Sequence, residues 1–95
     1  MLTNKEKKIL KKMANNLNAT HQIGKEGLTD NLITDVRNYL IKNELIKISI
    51  LQNCPMSKEE IAERFITCGF ELVGVVGRTI TLYMHTPKAK KPIVF

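Results

Sequence analysis

The chain has 95 residues, 43% of them hydrophobic, enough for one domain with a single modest core. No apolar run approaches the roughly 18 residues of a membrane span, and no apolar h-region follows the N-terminal lysines, so a cytoplasmic protein is expected. The formal net charge of +6 sits at the two ends: residues 1–12 carry five lysines and one glutamate, residues 88–95 carry three lysines and no acid, and residues 13–87 carry seven bases and eight acids.

Thr3-Asn4-Lys5-Glu6 fits a capping box and opens a helix from about Thr3 to Asn16. Ile9, Leu10, Met13 and Leu17 form its core stripe; Lys5, Lys8, Lys11 and Lys12 fall on the opposite face. Ala19 to Ile23 is a short strand. Leu28, Leu32, Ile33, Val36 and Leu40 make the apolar stripe of a second helix, about Thr29 to Lys42, with Thr29 as its cap. Leu45 to Leu51 is a strand with Ile46, Ile48 and Ile50 on one face and Lys47 and Ser49 on the other. Ser57-Lys58-Glu59-Glu60 is a second capping box, opening a helix that Gly69 stops. Phe70–Val76 and Thr79–His85 are strands joined by Gly77-Arg78, which suits a type II′ hairpin. Residues 1–87 thus form one α/β domain of order α-β-α-β-α-β-β, a four-stranded mixed sheet with helices mainly on one face. Residues 88–95 read as a basic tail.

Gly24-Lys25-Glu26-Gly27 falls between the first strand and the second helix. Two glycines three apart let the backbone turn sharply and approach a ligand closely. The following helix N-terminus and Lys25 would complete a seat for a phosphate. On the glycines alone an ordinary tight turn is the better explanation. A first helix packed antiparallel to the first strand would bring Lys5 and Lys8 close to Lys25. A right-handed crossover would bring Arg78 to the same edge of the sheet. Lys5, Lys8, Lys12, Lys25 and Arg78 would then form one basic surface, suited to a polyanion. Cys54 and Cys68 have no CxxC partner, and neither His21 nor His85 stands at ligand spacing, so reduced thiols, no metal and no cofactor are expected.

Ile23-Gly24-Lys25-Glu26-Gly27-Leu28-Thr29, then Asn43-Glu44-Leu45-Ile46-Lys47-Ile48, then Val76-Gly77-Arg78 with Leu82-Tyr83, resembles the YhbY family, stand-alone bacterial forms of the CRM (chloroplast RNA splicing and ribosome maturation) domain. The likeness covers about residues 2–85. It implies RNA binding and association with precursors of the large ribosomal subunit. By position it carries RNA contact onto Gly24, Lys25, Glu26 and Gly27, whose loop looks like the backbone clamp of KH domains, and onto Lys47. Two positions depart from the family pattern: Met84, where a basic residue often stands, and Asn18-Ala19, where Lys-Pro often stands. The expected protein is therefore a monomeric, non-catalytic RNA binder with no membrane or small-molecule partner. The loop lacks the GK[ST] ending of a nucleotide-binding P-loop, and no paired carboxylates suggest hydrolysis. The alternative is a protein-binding adaptor that uses the open sheet face or the tail.

Overall fold

Side chains placed just ahead of each apolar stripe set where the helices begin. A computed structural model describes residues 3–84. In α1 (Asn4–Ala14), Thr3 Oγ1 accepts from the Glu6 N–H at 3.1 Å and Glu6 Oε1 accepts from the Thr3 N–H at 2.9 Å. Hydrogen bonding to the Thr3 backbone N–H, and then to the Thr3 side chain, holds the Glu6 carboxyl below its ordinary pKa. Ser57 and Glu60 repeat the exchange ahead of α3 (Lys58–Thr67). Thr29 alone caps α2 (Asp30–Asn43), accepting from the Leu32 N–H at 3.2 Å. At its other end α2 stops on Glu44, a buried residue in the left-handed region at φ 62°.

The strands are β1 (His21–Ile23), β2 (Leu45–Ile50), β3 (Glu71–Val76) and β4 (Thr79–Tyr83), in the order β1-β2-β4-β3. β1 is parallel to β2, and β4 is antiparallel to both of its neighbours. So β1, β2 and β3 all point the same way, as a right-handed crossover requires, and their C-terminal ends share one edge. The hairpin turn has a positive φ at Gly77 and none at Arg78, the pattern of type II′. β1 is shorter than the expected Ala19–Ile23; ahead of it the Thr20 N–H, bonded to Lys47 O at 3.1 Å, extends its pairing.

Ile46, Ile48 and Ile50 meet Ile80 and Leu82 in the main core. α2 and α3 cover that face through residues such as Val36, Leu40, Ile61 and Phe65, all fully buried. α1 lies on the other face, where Leu10 and Ala14 close over Leu45, Val73 and Tyr83. Two of the three helices therefore share one face, and part of the other is left open.

α1 differs from its expected packing in two ways. Its buried stripe is Leu10 and Ala14, while Met13 and Leu17 are 40% and 39% exposed. The reason lies in β3. A bulge between Leu72 and Gly74 turns Val73 towards α1, and Gly74 leaves room for the Lys11 stem to lie across the strand. The helix is rolled onto that seat, so the Lys11 stem lies over Gly74 while the residue stays exposed. Nor does α1 run antiparallel to β1. Its start lies over the beginning of β3, with Lys7 beside Glu71 and Leu72. Its end lies near mid-sheet, where Leu17 O accepts from Lys47 Nζ at 3.2 Å. The Asn15–Thr20 connection then carries the chain across to β1. The expected C-terminal half of the last strand reaches His85, which lies outside the described residues, as does the basic tail of residues 88–95.

Candidate functional site

Three connections meet at the edge where β1, β2 and β3 end. The first is the Gly24–Gly27 turn, closed by the Gly27 N–H donating to Gly24 O at 2.9 Å. Gly27 has φ +70°, and a Cβ there would stand 3.0 Å from Met56 Sδ. Gly24 is different: its φ is not in the left-handed region, and a Cβ would meet Leu51 Cδ1 only at 3.6 Å. Lys25 and Glu26 lie exposed at the tip. The second connection, residues 51–57, backs the turn. Met56 Sδ accepts the Leu28 N–H at 3.3 Å, and Cys54 Sγ donates to Met56 O at 3.6 Å. The third is the hairpin tip, tied to β2 by the Ile50 N–H donating to Arg78 O at 2.7 Å.

The edge gathers Lys25 and Arg78, as the strand directions required. A shallow groove also sets Lys58 beside Arg78, between Ser57 and Gln52. Lys58 was not singled out from the sequence. Its signal was available: it opens a capped helix whose preceding loop returns to this same edge.

The remaining expected residues are dispersed. Lys5 and Lys8 flank Lys7 on the first turns of α1, at the opposite edge of the sheet from Lys25, so the single basic surface does not form. Lys12 is exposed in the last turn of α1. Lys47 is half-buried at the centre of β2 on the α1 side, away from the edge. The α2 N-terminus is also less open to an anion than the sequence suggested. Thr29 occupies one N–H and Met56 the Leu28 N–H, while Asp30 places a carboxylate in the first turn, 3.1 Å from Arg64. Glu26 adds a second negative charge beside Lys25. Phosphate contact at this turn would therefore fall to the Lys25 ammonium and the tip backbone.

The Tyr83 and His21 rings have structural partners. Tyr83 is 4% exposed beneath α1 and donates to Glu44 Oε2 at 3.5 Å. Burial, and then the Glu44 charge, push its phenol above the ordinary value. His21 Nδ1 is 2.9 Å from Thr20 Oγ1, and its ring meets the Tyr39 ring edge-on at 5.4 Å. Among the described residues no group of three histidines, cysteines or carboxylates could hold a metal, and no helix is long and apolar enough to cross a membrane.

The CRS1 / YhbY (CRM) domain model matches residues 2–84. The Bacillus subtilis protein named "Probable RNA-binding protein YqeI" is 39% identical over 92 residues, covering 96% of each chain. A Haemophilus influenzae protein named "RNA-binding protein" is 29% identical over 90 residues, covering 94% of this chain and 91% of its own. The solution structure of SAV1595 from Staphylococcus aureus superposes with a TM-score of 0.76 at 39% identity, covering 90% of this chain and 91% of that one.

Proposed function

From the premise that the chain belongs to the CRS1/YhbY (CRM) domain family, we propose that it is a non-catalytic RNA-binding protein of ribosome maturation. It would act as a cytoplasmic monomer on RNA in precursors of the large ribosomal subunit. The observation that carries this reading is the meeting of the Gly24–Gly27 turn, the 51–57 loop and the hairpin tip at one edge, with Lys25, Lys58 and Arg78 exposed together. The names of the relatives YqeI and the Haemophilus influenzae protein support an RNA partner. In mechanism, the turn sets its backbone against the RNA strand, and Lys25 and Arg78 pair with successive phosphates. Glu26 points its charge away from the strand. Lys5, Lys8 and Lys12, on a helix at the far side, add long-range attraction rather than contact at the turn. Lys47 serves a separate stretch of RNA on the open sheet face.

The test joins binding and cellular association. Lys25→Ala with Arg78→Ala should weaken RNA binding and lower the slope of log affinity against log salt by about 1.4, at about 0.7 per phosphate contact on a single strand. In-cell crosslinking should recover ribosomal RNA, and RNase should release the protein from the ribosomal fraction. An unchanged salt slope at matched stability would remove the edge as the contact surface. A protein that stays with the ribosomal fraction after RNase would instead be the adaptor.

A further inference from the structure

The sheet face shared with α1 is only partly covered. Beside the last turn of α1 lies a groove of about 360 Å³. Its floor comes from two cross-strand rows set by the register: Lys47, Thr81 and Gly74 in one, and Thr79 and Val76 in the next. Lys11 and Asn15 form the helix wall. Among the described residues no carboxylate lines it, although residues 13–87 hold eight acids against seven bases. Two cations on a wall and a floor without an acid make a locally positive channel on a near-neutral body.

Two details show that both lysines are seated there. Gly74 lies directly under Lys11: a Cβ would stand 2.8 Å from Lys11 Cε. Lys47 Nζ donates one of its three protons to Leu17 O at 3.2 Å, which holds the ammonium at the rim. The groove ends at Thr79 and at Val76, which is 76% exposed. Between those two residues the chain makes the Gly77-Arg78 turn of the basic edge. The groove and the edge are thus consecutive stretches of one surface.

We propose that this groove binds single-stranded RNA, with phosphates held between Lys11 and Lys47 and riboses over the threonine floor. The strand would continue past Arg78 to the Gly24–Gly27 turn. The inference rests on the RNA-binding reading above and extends it to the open face. Charge complementarity selects a polyanion. Among the described residues no aromatic ring lines the groove, so contact is to backbone and sugar and is sequence-tolerant. An A-form duplex presents its phosphates on a convex surface and cannot lower them to a floor walled by α1.

The experiment compares labelled single-stranded oligouridylates of about four and about twelve nucleotides, lengths that reach the turn alone or the whole path. Lys11→Gln with Lys47→Gln should weaken the short strand less than the long one. It should weaken the long one about tenfold at about 0.15 M salt and lower its salt slope by about 1.4. Gly74→Ala should move the long strand the same way, because its methyl displaces only the far end of the Lys11 side chain and its backbone is not left-handed. Melting temperatures establish that these variants fold. If they match wild type while Lys25→Ala with Arg78→Ala weakens both lengths, the groove inference is wrong and the edge reading stands. If neither pair weakens binding, both readings are wrong. An equal loss for a duplex hairpin would overturn the assignment to a single strand.

Discussion

The two glycines of the turn should respond oppositely to alanine. Gly27 has φ +70°, where an L side chain costs about 1–2 kcal/mol. Its new Cβ would also press on Met56 Sδ from 3.0 Å, so the sulfur must yield by a few tenths of an ångström. That movement would loosen the Leu28 N–H bond to the same sulfur. For a domain of this size, about 1–2 kcal/mol lowers Tm by roughly 5–15 °C. Gly24→Ala faces no such cost, since the nearest atoms lie at 3.6 and 3.7 Å and its φ is ordinary. It should leave stability unchanged or raise it by a few tenths to about 1 kcal/mol by restricting the unfolded chain. Urea and thermal unfolding of both variants read this directly. Equal shifts would refute the reasoning that Gly27 is kept for its backbone conformation. The contrast also selects the substitution for function. Gly24→Asp places a carboxylate on the turn without the backbone strain of Gly27→Asp, so its effect on RNA affinity reports repulsion rather than misfolding.

The rolled orientation of α1 predicts that Leu10→Ala costs about 2–5 kcal/mol, because Leu10 is fully buried. Met13→Ala, at a position 40% exposed, should cost well under about 1 kcal/mol; comparable urea midpoints would restore the expected stripe. Tyr83 predicts a loss of stability at high pH. Its folded pKa lies above the ordinary 10.0, so the folded state keeps the proton longer than the unfolded chain does. Its contribution is complete below about 10 and falls as pH rises through the folded value. Tyr83→Phe should therefore flatten the dependence of Tm on pH above about 10, and an unchanged slope would show that the phenol is not responsible.

Most of the fold was legible because local signals and topology agree. Two capping boxes, one N-cap threonine and the alternation of Ile46, Ile48 and Ile50 set the elements and the buried face. The two-residue Gly77-Arg78 turn set the hairpin. Right-handed crossover then put the ends of three strands at one edge, which is why Lys25 and Arg78 could be placed together. α1 was not legible in the same way. Ile9, Leu10, Met13 and Leu17 make a sound stripe on an isolated helix. The roll depends on Val73 and Gly74, whose bulge has no marker in the strand pattern beyond a glycine. The direction of α1 depends on a connection of ordinary polar residues that crosses the sheet. Glu44 was hidden for a related reason: a buried, left-handed carboxylate breaks both burial and backbone preference, and partners such as Tyr83 and Met84, far along the chain, help make the position workable. These failures share one consequence for function. Summing lysines along α1 treats the helix as a single charged face. The roll instead divides it, leaving Lys5, Lys8 and Lys12 to solvent and placing Lys11 over Gly74 opposite Lys47. The helix's share of the expected basic patch at the edge is thereby replaced by a positive groove on the open sheet face, and it is the glycine in β3 that makes room for it.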